Sequence, residues 1–128
     1  SGGSTQTGVI LWTRVSPDAH KPDEPLVVEV ANDEAFDDVV ERGTVAPERI
    51  DEAHDYTVKV DLDGSLDSNT RYYYRFVYDG VVSQTGRCRT LPAPDDNIQN
   101  VSFAVVTCQE YQDGYYGAFH HVAQEDVD

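Results

Sequence analysis

Two neighbouring stretches restrict the fold more than any others in this chain. In Tyr56-Thr57-Val58-Lys59-Val60-Asp61-Leu62, the residues Tyr56, Val58, Val60 and Leu62 fall on one side of an extended backbone and Thr57, Lys59 and Asp61 on the other. Only a half-buried β-strand reads this way. The run Arg71 to Tyr78 repeats the pattern with Tyr72, Tyr74 and Phe76 on one side, and Asp79-Gly80 then supplies a two-residue hairpin signal into a strand over Val81 to Thr90.

The remaining strands follow by the same logic. Val9 to Val15 closes at Ser16-Pro17-Asp18, Leu26 to Val30 is introduced by Pro25, and a weaker strand covers about Val39 to Val45, beyond a loop at Asn32-Asp33-Glu34. Six or seven short strands with frequent turn signals predict an antiparallel sandwich, and no helix is needed through residue 90. Leu66 stands six positions before Tyr72 across a polar turn. That is the pattern of the tyrosine corner in fibronectin type III and related sandwiches, where the phenol bonds back to the backbone. The fold class expected is therefore mainly β, a fibronectin type III or Ig-like antiparallel sandwich, with Tyr72 and Trp12 as structural residues.

After Thr90, the segment Leu91-Pro92-Ala93-Pro94-Asp95-Asp96-Asn97 breaks any ladder. The sequence then changes character. Val101 to Val106 is continuously apolar, as a strand buried on both faces of an α/β sheet is. A turn at Asp113-Gly114 follows, with Asp113 able to cap a helix on which Tyr115, Ala118, Phe119, Val122 and Ala123 recur at helical spacing. The organisation expected is a sandwich over 1–91, a linker over 92–100, and over 101–128 a strand-loop-helix start of a second, α/β domain.

Charge excludes several partners. Asp and Glu number 24 against 9 Lys and Arg, a formal charge of -15, with the acids scattered along the chain. A phosphate backbone and an anionic membrane would both be repelled, so neither nucleic acid nor membrane insertion is expected. No run approaches the roughly 20 apolar residues of a membrane helix, and no signal peptide is visible. Scattered acidity of this kind suits a high-salt environment, and a halophilic source is the expectation. Two cysteines, Cys88 and Cys108, are too few for a disulfide scaffold. Cys88 reads as a buried small hydrophobe, with a bond to Cys108 as the competing reading.

The ordered set GVILWTRVSPD, DYTVKVDLDGSLDSNTRYYYRF, GRCRTLPAP and FAVVTCQEYQDGYYGAFHHVAQEDVD resembles the start of the PhoD-type alkaline phosphatases. The resemblance runs along essentially the whole chain, linker included. It implies a parent that is a secreted, metal-dependent phosphoesterase, with a fibronectin-like or Ig-like domain ahead of a metallophosphoesterase domain. It also implies iron and calcium as cofactors, a phosphate ester as substrate, and the catalytic domain as the packing partner of the sandwich. Cys108, at the end of the apolar run, takes the family's iron-ligand position. By its residues alone, one cysteine without further ligands is no site. Gln109 and Tyr111 follow it in a loop expected to border the pocket, as does Asp113. The family's next metal motif, a Gly-Asp-Tyr, has no counterpart here, so the 128-residue chain is expected to be inactive.

Other candidates take plainer readings. His120 and His121 point to adjacent faces of the helix and read as surface residues. Glu125, Asp126 and Asp128 lack EF-hand spacing and read as a solvated helix end. A non-catalytic binding or adhesion module is the second functional reading, since a sandwich fold does not distinguish such uses.

Overall fold

The computed structural model describes residues 1–107, 110, 112, 115–125 and 127. It separates into two compact units, Ser1–Asp95 and Asp96–Asp128.

In the first unit, the alternating segments become strands because each has one apolar row to bury. They are β1 (Ile10–Arg14), β2 (Leu26–Ala31), β3 (Val39–Val45), β4 (Thr57–Asp61), β5 (Arg71–Tyr78), β6 (Val81–Val82) and β7 (Gly86–Arg89). β1 and β4 pair antiparallel, with Trp12 opposite Lys59. β3, β2 and β5 form a second antiparallel sheet in that order, whose far edge is made by β6 and β7 together. The inner rows of both sheets make one core of Val9, Leu11, Val58 and Leu62 against Leu26, Val28, Val30, Tyr72, Phe76 and Cys88. An antiparallel β-sandwich is the result.

The hairpin signal at Asp79-Gly80 acts as its chemistry dictates. Both residues take positive φ, 48° and 75°, and Tyr78 pairs with Val81 across the two-residue loop. The expected single strand from Val81 to Thr90 is a correction: it splits into β6 and β7. Register explains the break, since Val77 faces Val82 while Tyr74 faces Gly86, so the outer strand carries one residue more than β5. Ser83 stabilises the bulge by accepting the Phe76 N–H at its Oγ, 2.9 Å away. Gly86 is required at the restart of β7, because a Cβ there would collide with the Tyr74 ring. Short 3₁₀ turns at Pro17–Ala19, Pro47–Arg49 and Glu52–His54 also occur where no helix was expected, two of them begun by a proline with its φ already set.

The second unit departs from expectation more strongly. Residues 101–107 carry no strand, and Val101, Phe103 and Val105 are exposed. An apolar run becomes a doubly buried strand only when neighbours exist on both edges, and none pairs with it among the described residues. The helix, α1 (Gly117–Val122), is six residues long and begins after Tyr116 at its N-cap, in left-handed conformation, not after Asp113. Phe119 lies half exposed on it. An apolar stripe without a sheet to cover it sustains little more than one turn and a half.

Candidate functional site

Sequence placed the chemistry at Cys108, with Gln109, Tyr111 and Asp113 bordering it, and read Asp126 and Asp128 as part of a solvated helix end; all six lie outside the described residues. What the structure describes around them is α1. His120 and His121 are exposed, their ring centroids 5.7 Å apart, and His120 Nε2 lies 3.0 Å from Gln124 Nε2. Tyr116 and Phe119 meet edge to face at 5.4 Å. Among the described residues, no group of three or more His, Cys, Asp or Glu could hold a metal ion. The described residues therefore present no donor set for a metal centre.

The sandwich itself carries several open hollows. One, of about 210 Å³, opens between β1 and the β5–β6 hairpin and is lined by Thr13, Val15, Leu26, Phe76, Tyr78 and Val81. Trp12, at 51% exposure, lines a further hollow with Tyr74 and the Ser83–Gly86 bulge, so it is a surface residue of β1 and not part of the core. Another is a shallow dish lined by Glu48, Arg49, Asp51, His54, Thr57 and Lys59. Asp51, His54 and Thr57 look like a catalytic set in name only. Asp51 Oδ1 sits 2.9 Å from His54 Nδ1, which holds the Asp51 carboxyl below its usual range. Thr57 Oγ1, however, donates to the His54 carbonyl at 2.7 Å, so no hydroxyl is activated by the ring. The arrangement caps a 3₁₀ turn.

Two polar clusters hold the sandwich in shape, the first the tyrosine corner expected from Leu66 and Tyr72 but with a partner, Thr90, that sequence reasoning missed, and the second missed entirely. At the turn before β5, Tyr72 Oη accepts the Asp67 N–H at 2.9 Å. From the other side, the buried Thr90 Oγ1 donates to the Asp67 carbonyl at 2.6 Å and accepts the Thr70 N–H at 3.0 Å. The second cluster centres on Glu29, a 6% exposed carboxylate on the outward row of β2. Its oxygens meet Arg42 Nη2 at 2.9 Å and Arg75 Nε at 2.7 Å, both from the directly opposing positions of β3 and β5. Phe36 covers the pair, with the Arg75 guanidinium 4.0 Å from its ring centre. A lone acid in the apolar run LVVEVA was the available signal. Cys88 is a free thiol, buried, and burial pushes its pKa up to about 11.

These strands and the corner match a known family model, that of the PhoD-like phosphatase N-terminal domain, over residues 1–92. The chain belongs to that family. The PhoD-like sandwich and the segment after it are also 40% identical over 134 aligned positions to alkaline phosphatase D of Bacillus subtilis (strain 168), which covers 100% of this chain and 22% of that protein. A solved structure described as that of PhoD superposes with a TM-score of 0.88 at 37% identity, over 99% of this chain and 25% of that one. The chain thus spans about a quarter of the length of these relatives.

Proposed function

We propose that this chain is the amino-terminal part of a metal-dependent phosphoesterase that hydrolyses phosphomonoesters or phosphodiesters outside the cell. The observation that carries this reading is the reach of the likeness. Identity to alkaline phosphatase D extends over 100% of the chain, past the family-matched residues 1–92 and through the segment holding Cys108. A sandwich used as a free-standing adhesion unit has no reason to keep that segment.

On this reading, residues 1–91 are the supporting domain, 92–100 the linker, and 101–128 the opening of the catalytic domain. Cys108 supplies an iron ligand beside calcium ions, and Gln109 and Tyr111 border the site. Iron and calcium would polarise phosphoryl oxygens and supply a hydroxide nucleophile. The family's Gly-Asp-Tyr motif has no counterpart in these residues, and on this reading the 128-residue chain by itself is inactive. The test uses p-nitrophenyl phosphate with added iron and calcium on this chain and on the full-length protein. Turnover by the full-length protein, lost on Cys108→Ser and absent from this chain, is the expected result. Metal-dependent turnover by the 128 residues alone would refute the assignment of the missing ligands to the remainder.

The second reading, a binding module, has one observation in its favour: the hollow at the Ser83–Gly86 bulge, lined by Tyr74 and the half-exposed Trp12. A full-length protein without phosphatase activity whose sandwich binds a glycan or peptide through Trp12 would favour it.

A further inference from the structure

The smaller sheet of the sandwich is narrow for what it covers. β1 and β4 alone face a sheet of five strands, and β4 occupies only one side of β1. On the other side of β1 stands a single bridge, between Gly2 and Ile10. Each of the two donates its N–H to the other's carbonyl, at 2.9 and 2.8 Å. In an antiparallel ladder such doubly bonded pairs recur at every second residue, so the N–H and C=O of Trp12 and Arg14 turn to the same side as those of Ile10. No described strand takes them up there.

An edge with free N–H and C=O groups is a template for an extended segment. Space for one lies beside it. A hollow of about 260 Å³ is lined by Trp12, Thr13, Tyr74 and Gly86, and the hollow of about 210 Å³ by Thr13, Val15, Phe76 and Tyr78. Thr13 and Phe76 line both, so the two adjoin as one trough along β1. The backbone already aims into it. Gly2 runs antiparallel to β1, so toward its own amino end the chain advances from Ile10 in the direction of Trp12. The Ser1 amino group lies 3.4 Å from Tyr74 Oη, and Tyr74 lines the first hollow.

We propose that this trough seats a third strand of the smaller sheet, formed by the residues that precede Ser1 in the parent protein. The Gly2–Ile10 pair sets its register. The first residue before Ser1 lies opposite Trp12 and the third opposite Arg14, and each exchanges both backbone bonds with its partner. Residues directly opposite one another project to the same face. The second and fourth residues before Ser1 therefore join the inward row of Leu11, Thr13 and Val15, enter the trough, and are apolar. A segment held in register by Gly2 acts at high effective concentration, which favours it over a strand from a second copy or a foreign peptide. The proposal concerns the sandwich and does not rest on the phosphoesterase reading.

The test is backbone hydrogen exchange in the full-length protein, read at single amides. Leu11 and Thr13 are the internal reference, because the alternation of β1 turns their N–H groups toward β4. Trp12 and Arg14 are expected to exchange within about tenfold of that reference, and about a hundredfold faster once the residues before Ser1 are deleted. Trp12 and Arg14 amides that exchange freely in the intact protein overturn the proposal, whether or not the deleted variant folds. Protection that survives the deletion assigns the edge to a different segment and overturns it too. Protection that appears only as protein concentration rises assigns the edge to a second copy, with the same consequence. A parent with charged residues at both inward positions, or with none before Ser1, likewise ends the idea.

Discussion

At the residue scale, the turn before β5 shows how the backbone of one residue can be latched from both sides. Asp67 donates its N–H to Tyr72 Oη and accepts at its carbonyl from the Thr90 hydroxyl. Removing either side-chain partner leaves a polar group in or near the core without its bond, which costs about 1–3 kcal/mol. Tyr72→Phe is expected to fall within that range, and Thr90→Val toward its upper end, because it deprives Asp67 of a donor and Thr70 of an acceptor. Because both act on the same turn, the double variant should lose less than the sum, which a double-mutant cycle by urea unfolding checks. Leu66, the polar turn and Tyr72 are readable as a corner from their spacing. Thr90 is not, since a threonine at a strand end before a proline-rich linker has no pattern that marks it as buried.

At the scale of elements, the existence of the strands is the most legible level and strand continuity the least. Alternation in Tyr56 to Leu62 and Arg71 to Tyr78 marks the buried rows, but a one-residue bulge leaves no mark in hydrophobicity, and Val81 to Thr90 therefore read as one strand. The run at Val101 to Val106 is a different kind of miss. Its burial depends on strands that its own residues do not contain. Between elements, Glu29 ties β2 to both neighbours, and two arginines compete for one buried carboxylate. Glu29→Ala is expected to destabilise the sandwich by about 3 kcal/mol. That is the low end for breaking a buried ion pair, because Arg42 and Arg75 keep 66% and 30% side-chain exposure. Thermal or urea unfolding measures it. A loss below about 0.5 kcal/mol would mean that solvent replaces the carboxylate without penalty. Gly86→Ala should destabilise as well, by about 1–3 kcal/mol, through displacement of the Tyr74 ring.

For the whole molecule, charge governs how stability depends on solution conditions. Four carboxyls are held below their ordinary value of 3.8. Backbone N–H groups of Asp38 and Asp37 do this for Asp33, hydrogen bonds from His54 for Asp51, the Arg14 guanidinium for Asp55, and the Thr5 and Thr7 hydroxyls for Asp63. A carboxyl whose pKa is lower folded than unfolded stabilises the fold fully above its unfolded value and loses that contribution as pH falls through the folded one. The melting temperature of the sandwich should therefore drop as pH is lowered below 3.8, and calorimetry from pH 5 to 2 checks it. A flat profile would show that these bonds form equally in the unfolded chain. At neutral pH, the formal charge of -15 repels itself, and screening shortens its reach from about 10 Å at 0.1 M salt to about 3 Å at 1 M. Melting should rise across that range of KCl. Indifference to salt would remove the ground for the halophilic source we propose.

The bulge at Ser83–Thr85 has one more consequence, for how this molecule behaves among copies of itself. A sheet edge is a template: its free N–H and C=O groups accept any strand long and flat enough to lie along them. Here that edge is cut into pieces of 2 and 4 residues, turned against each other where the extra residue enters, with Arg87 projecting from the longer one. An incoming strand finds no continuous ladder to extend. The irregularity that hid from the sequence is thus a guard against fibrous association at an edge that a perfect hairpin would have left open.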